Sequence, residues 1–86
     1  MDPFKVIRHP LSTEKSIRMM ESDNKLIFVV DGKADKHDIK KAIEQMFNAQ
    51  VDEVKTVNTH EGEKRAYVKF SPKSPAIDIA TQLGLI

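Results

Sequence analysis

The spacing of apolar and polar residues changes along the chain, and each spacing predicts a different element. An unbroken apolar run over residues 26–30 indicates a strand covered on both faces. Apolar residues then recur at positions i, i+3, i+4, i+7 and i+8, which predicts a helix with one stripe formed by Ile39, Ala42, Ile43, Met46 and Phe47. Residues 64–70 alternate, as in a strand that presents Ala66, Val68 and Phe70 to one side and Arg65, Tyr67 and Lys69 to the other. We therefore expect Phe28 and Phe47 to be buried between helix and sheet.

Capping residues set the limits of the first elements. A short strand begins at residues 6–8 and is ended by His9-Pro10. Ser12 or Thr13 caps a helix that runs to about Met20, and residues 21–24 form a polar turn. Asp35, with Asp38 three residues later, caps the central helix, which Asn48 ends.

The second half of the chain predicts a hairpin and a last helix. Residues 51–60 form a strand, and Glu61-Gly62-Glu63 turn the chain into the alternating strand. Ser74 caps the last helix, which starts at Pro75 and ends at Gly84. The order β-α-β-α-β-β-α predicts an α/β fold of the α+β kind: a single domain over residues 1–86, with a mainly antiparallel four-stranded sheet layered with helices. Burial of residues 26–30 on both sides predicts helices on both faces.

Composition restricts the classes of protein. A chain of 86 residues has room for one small core, but not for a second module or a deep catalytic cleft as well. The absence of cysteine excludes a disulfide framework and a thiolate zinc site. The first residues lack the pattern of a signal peptide, and the longest apolar run is too short to span a bilayer. We therefore expect a soluble intracellular protein.

The polar residues do not build an active site. His37 neighbours Asp35 and Asp38, but these side chains fan out around a helix axis rather than converge on a metal. No serine stands in a Gly-x-Ser-x-Gly sequence, and three glycines in the whole chain provide no glycine-rich phosphate loop. We expect no enzyme activity, cofactor, metal ion or small-molecule substrate.

Basic residues form three clusters, although 14 Lys and Arg are almost balanced by 13 Asp and Glu. The start of the central helix carries Lys33, Lys36, Lys40 and Lys41, for which a solvated helix face is the simpler alternative. The alternating strand carries Lys64, Arg65, Tyr67 and Lys69, which suit phosphates and a base or sugar. A lysine-protected edge strand is the alternative there. The third cluster, around the first loop and a helix start, consists of Lys5, Arg8, His9 and Lys15.

Four separated segments resemble a known family. Residues 7–16, with Pro10 followed by Thr13-Glu14-Lys15, are similar to the opening motif of ribosomal protein 23 of the large subunit. Residues 34–47 resemble the helix of that family, residues 51–59 its following strand, and residues 64–70 its last motif, although Phe70 stands where leucine is more common. The hairpin connection at residues 61–63 resembles the short archaeal form, because bacterial relatives carry a long basic loop there.

The resemblance implies a monomer within the ribosome that binds large-subunit ribosomal RNA beside the exit of the nascent-chain tunnel. Neighbouring large-subunit proteins, the signal recognition particle and the translocon are the implied protein partners. With the basic clusters, it predicts RNA contacts by Lys5, Arg8, His9, Thr13, Lys15, Lys33, Lys36, Lys40, Asn58, Thr59, Lys64, Arg65, Tyr67 and Lys69. The surface predicted to dock factors consists of Glu14, Arg18 and Glu21.

Two other functions stay open from the residues alone. A small ferredoxin-like regulatory or protein-interaction domain would use a similar sheet to bind a ligand or partner, and the near-neutral net charge suits it. An acylphosphatase-like enzyme would need an arginine in a phosphate-binding loop near the first strand, and Arg8 before His9-Pro10 fits that loop poorly. Sheets of this kind serve many functions, so the fold alone does not decide.

Overall fold

Helices and strands alternate along the chain in a computed structural model that describes residues 2–85. The elements are α1 (Pro3–Val6), β1 (Ile7–Pro10), α2 (Glu14–Asp23), β2 (Lys25–Val30), α3 (Lys36–Phe47), β3 (Val51–Asn58), β4 (Lys64–Phe70) and α4 (Ala76–Gln82). The predicted order is confirmed from β1 onward, and α1 is an addition that the pattern did not predict. A single turn has no apolar period to detect. Its start is nevertheless encoded, because the Asp2 carboxylate accepts a hydrogen bond from the Phe4 amide and Pro3 occupies the first helical position.

The four strands form one antiparallel sheet in the order β1-β2-β4-β3. This confirms the predicted mainly antiparallel four-stranded sheet. Strand β4 pairs with β2 on one side and with β3 on the other, so it is an interior strand. The alternative that its basic residues protect a sheet edge is therefore wrong.

The helices within residues 2–85 cover only one face of this sheet. Buried side chains of α2, α3 and α4 join a single apolar cluster with Leu26, Phe28 and Val30 of β2. The other two residues of the run, Ile27 and Val29, are also buried but lie outside that cluster. Burial of the whole run is confirmed, whereas the expectation of helices on both faces is wrong. Longer cross-strand neighbours shield Ile27 and Val29 instead, since directly paired residues share a face.

The central helix follows its predicted stripe with one difference at its end. Ile39, Ala42 and Ile43 are fully buried, while Met46 is only partly buried. Phe28 is buried as predicted, but the expectation of a buried Phe47 is wrong, because that side chain is half-buried at the end of α3. The two rings still stack, with centroids 6.4 Å apart.

Helix ends are determined by local hydrogen bonds and by two left-handed asparagines. Reciprocal capping boxes join Thr13 to Ser16 and Asp35 to Asp38, and the second is the predicted one. Helix α2 continues to Asp23, so the predicted end near Met20 is too early. Polar residues continue the helix until Asn24, whose φ of 56° ends it.

The last helix begins one residue later than predicted. Ser74 does not cap it, and Pro75 occupies the capping position. The Ser74 hydroxyl instead accepts a hydrogen bond from the Gln50 amide, which ties the start of α4 to the start of β3. Gly84, at φ 76°, follows the helix as predicted. Within residues 2–85, no helix is long and apolar enough to cross a membrane.

Candidate nucleic-acid interface

Within residues 2–85, no helix packs on one face of the sheet, and that face carries most of the long polar side chains of the strands. Its centre is Tyr67 on β4, which is paired with Ile27 on β2 and Lys55 on β3. Directly paired residues point to the same side, so the register defines the whole surface. We call it the open face, and it consists of Lys25, Ile27, Val29, Glu53, Lys55, Val57, Arg65, Tyr67 and Lys69.

Two cations of the open face are paired with neighbouring acids. The Arg65 Nε donates to the Glu63 Oε2 at 2.7 Å, and this hydrogen bond raises the pKa of the guanidinium. The remaining N–H groups of Arg65 stay available to a phosphate, because a guanidinium has five donors. The Lys55 Nζ lies 3.5 Å from the Glu53 Oε1 on the same strand. The partly exposed Arg65–Glu63 pair orients the guanidinium beside Tyr67, whereas the Lys55–Glu53 pair is exposed and constrains Lys55 little.

The other two cations of this face oppose each other. Lys25 on β2 is paired directly with Lys69 on β4. Like charges in this position destabilise a sheet. Glu53 on β3 is paired directly with Lys69, but within residues 2–85 neither ammonium has an acid within ion-pair distance. An anion bound over the two lysines would remove their repulsion.

Apolar surface lies between these cations. Val57 on β3 is 47% exposed. It is paired with Arg65, and so lies diagonal to the half-buried Tyr67. An aromatic and an aliphatic side chain ringed by lysines and an arginine suit a ligand with both a flat apolar surface and negative charge.

The first basic cluster divides between the edge of the open face and the first turn of α2. His9 is paired with Val29, which places it at the β1 end of the open face, and Arg8 is exposed beside it at a bulge. Lys15 is exposed in the first turn of α2. The Thr13 hydroxyl accepts the Ser16 amide, so one of the free amides of that helix start is already occupied.

The α3 cluster lies on the other side of the molecule. Lys33, Lys36 and Lys40 are exposed on α3 and the turn before it, and α3 packs on the covered face of the sheet. Lys5 lies in α1, which packs against α3. The structure therefore does not bring these four lysines to Tyr67. They form a second basic surface.

The β3–β4 turn uses several predicted residues for its own structure. The Lys64 Nζ donates to the Ala34 carbonyl at 2.6 Å, on the covered face and opposite to Arg65. The Thr59 hydroxyl donates to the Glu63 carbonyl and accepts from its amide, which closes the turn around Gly62 at φ 78°. Asn58 is exposed and paired with Lys64. The cluster that sequence placed on one strand is thus split between two faces.

A cleft of about 380 Å³ separates this turn from β1. One wall contains Arg8 and His9, and the other contains Glu61, Glu63 and Lys64. Within residues 2–85, no group of three His, Cys, Asp or Glu could hold a metal ion.

Sequence reasoning missed two cations of the open face, Lys25 and Lys55. Their positions depend on which strands are neighbours and in which register, and both are long-range properties. The spacing of Lys55 from Val57 along one strand was the available signal, because residues i and i+2 share a face.

The three residues predicted to dock factors lie together on α2. Glu14, Arg18 and Glu21 are exposed, and the Arg18 guanidinium donates to the Glu14 carboxylate at 2.8 Å. Buried Ser16 and Met20 attach this helix to the covered side of the sheet. The α2 surface and the open face are therefore on different sides of the protein.

Comparison with known proteins is consistent with the resemblance in the sequence. The family model described as "Ribosomal protein L23" matches residues 5–79, which include every candidate residue above. The chain is also 46% identical over 85 residues to the protein named "Large ribosomal subunit protein uL23" of Methanococcus vannielii, and the match covers 99% of both chains.

Proposed function

Since the chain belongs to the ribosomal protein L23 family, we propose that it binds large-subunit ribosomal RNA through its open face, beside the exit of the nascent-chain tunnel. Membership makes it a structural constituent of the large ribosomal subunit, located on cytoplasmic ribosomes, and not an enzyme. Family membership also favours this function over the alternative of a ferredoxin-like regulatory domain.

The arrangement of charge on the interior strand β4 carries the RNA-binding proposal. Arg65, Tyr67 and Lys69 alternate with core residues there, so they are concentrated on one flat surface. Phosphate contacts by such cations account for much of the affinity of RNA-binding proteins. A net charge of only +1 is compatible with this, because acids such as Glu14 and Glu21 lie on the α2 side.

The Lys25–Lys69 pair provides a test that separates RNA binding from stability. Replacing both by glutamine removes the cross-strand repulsion, but it also removes the attraction between Lys69 and Glu53, which is paired directly with it on β3, so the free protein should keep about the stability of the parent. RNA binding should weaken, and the slope of log K against log salt should fall in magnitude by about 1.4–1.8, at 0.7–0.9 for each phosphate that is no longer neutralised. Binding to a fragment of large-subunit RNA, titrated across salt concentrations, measures the slope.

The second basic surface supplies the matched variant. Lys36→Gln with Lys40→Gln removes the same charge from α3 and should leave the slope nearly unchanged if the open face is the main interface. If the slope of log K against log salt changes only in the α3 variant, the RNA binds the second basic surface and the open face is rejected as the interface. Lys73, exposed and outside both surfaces, serves as the neutral control through Lys73→Gln.

We propose further that Glu14, Arg18 and Glu21 on α2 dock the signal recognition particle and the translocon, with neighbouring large-subunit proteins alongside. The separation of this surface from the open face supports the proposal, because RNA and factors could then bind together.

Glu14→Lys is expected to weaken signal-recognition-particle binding to reconstituted ribosomes while the isolated protein loses only about 0.3–1 kcal/mol from the helix-dipole interaction. The exposed ion pair with Arg18 adds little to this cost. Asp78→Lys is the control, because it reverses an exposed acid in the first turn of α4. Unchanged factor binding with a loss of stability equal to that of the control would leave Glu14 with a helix-stabilising role only.

A further inference from the structure

The centre of the open face has a feature that phosphate binding does not require. Tyr67 is paired with buried Ile27 on β2 and lies diagonal to exposed Val57 on β3. Its aromatic ring and the Val57 side chain therefore form a small apolar platform. A paired RNA helix presents mainly phosphates, sugars and 2′-hydroxyls to a flat protein surface. Such a helix would leave the platform without a matching partner.

We propose that an unpaired RNA base stacks on Tyr67, with the phosphates that flank it held by Lys55 and by the Lys25–Lys69 pair. This rests on the proposed RNA binding and specifies its ligand as an unstacked nucleotide in a loop or bulge. Every base has a π-face, and stacking on aromatic side chains is a principal way in which proteins bind unpaired RNA.

The spacing of the sheet places the cations where such a nucleotide needs them. Lys55 lies on the neighbouring strand, about 4.8 Å from Tyr67 across the sheet, and Lys69 lies about 6.8 Å away along β4. Both distances are within reach of a lysine side chain above the platform. Arg65 lies on the other side of Tyr67 along β4, where its hydrogen bond to Glu63 orients the guanidinium. Its remaining N–H groups can donate to a phosphate.

The composition of the chain makes stacking directly observable. Tyr67 is the only tyrosine, and the chain has no tryptophan, so the intrinsic fluorescence of the full-length protein reports on this ring alone. The full chain is titrated with oligoadenylate, which is unpaired, and with a fully paired RNA duplex of equal charge. We expect oligoadenylate to quench the fluorescence and the duplex to leave it nearly unchanged.

Substitutions separate the ring from the rest of the surface. Tyr67→Phe keeps an aromatic face and should bind oligoadenylate about as tightly as the parent. Tyr67→Leu keeps an apolar cover over Ile27 without a π-face, so its affinity should fall about 5- to 150-fold, the range measured for the loss of one stacked base. Thermal unfolding of both variants checks that the sheet is intact.

The outcomes distinguish the two proposals. If oligoadenylate binds with unchanged fluorescence, or if Tyr67→Leu binds as tightly as Tyr67→Phe, the stacked base is rejected while RNA binding by the lysines stands. Tighter binding of the duplex with no effect of Tyr67→Leu would reject it as well. If neither RNA binds, and Lys25→Gln with Lys69→Gln changes nothing on the large-subunit fragment, the proposed function fails first.

Discussion

Phe28→Ala is expected to lower the free energy of unfolding of the isolated protein by about 3–5 kcal/mol. The side chain is fully buried in the middle of β2, within the cluster that joins the sheet to its helices. Domains have only about 0.05–0.15 kcal/mol of stability per residue, so an 86-residue chain would lose a large part of its total. Urea unfolding followed by far-ultraviolet circular dichroism measures the loss.

Phe47→Ala is the matched comparison, because its ring stacks on Phe28 but is half-buried. Its truncation opens a space to solvent rather than a closed cavity, so its cost should be clearly smaller than that of Phe28→Ala. Equal losses would mean that the two rings are buried to the same extent. Large-subunit RNA binds the folded form only, so it should restore part of the stability of Phe28→Ala by mass action.

The local features of this fold were readable from sequence because each depends on residues close together in the chain. The stripe from Ile39 to Ile43 requires only the helical period. The Asp35–Asp38 capping box requires two residues three positions apart. Alternation in residues 64–70 likewise separates core from surface positions within a single strand.

The position of β4 within the sheet could not be read in this way. Its two neighbours are β3, joined by a tight turn, and β2, which is more than thirty residues away in the chain. Pairing with β2 turns a possible edge strand into an interior one and brings Lys25 opposite Lys69. No local pattern encodes that contact, so the third of the open face that β2 contributes could not be predicted from sequence.

The two faces of β4 also explain why one basic cluster, continuous in the sequence, is divided in the structure. Lys64 and Arg65 are adjacent in sequence, but adjacent residues in a strand point to opposite sides. Arg65 therefore lies on the open face, while Lys64 hydrogen-bonds to the Ala34 carbonyl at the start of α3. The alternation of strand residues is sufficient to assign Lys64 and Arg65 to opposite faces. Grouping them as one basic cluster by their proximity in the chain overlooks this difference.

Asn24→Ala is expected to cost about 2–5 kcal/mol, through two separate losses. Asn24 has φ 56°, a conformation that costs roughly 1–2 kcal/mol for an ordinary residue. Its side chain also links three elements, because the amide nitrogen donates to the Phe70 and Ser71 carbonyls while the oxygen accepts the Ala76 amide at 2.7 Å. Leaving such buried groups without partners costs about 1–3 kcal/mol.

Asn48 isolates the first of these losses, the cost of the left-handed backbone conformation. It ends α3 in the same left-handed conformation, at φ 50°, but its side chain makes no hydrogen bond to residues 2–85. Asn48→Ala should therefore cost only the backbone part, and Asn48→Gly should be nearly neutral. Asn24→Gly relieves the same backbone strain and should still lose the links to β4 and α4. If urea unfolding shows that Asn24→Gly lowers the free energy of unfolding no more than Asn48→Gly does, the Asn24 side chain does not hold α4 to the sheet. Asn24 would then stabilise the protein only by ending α2.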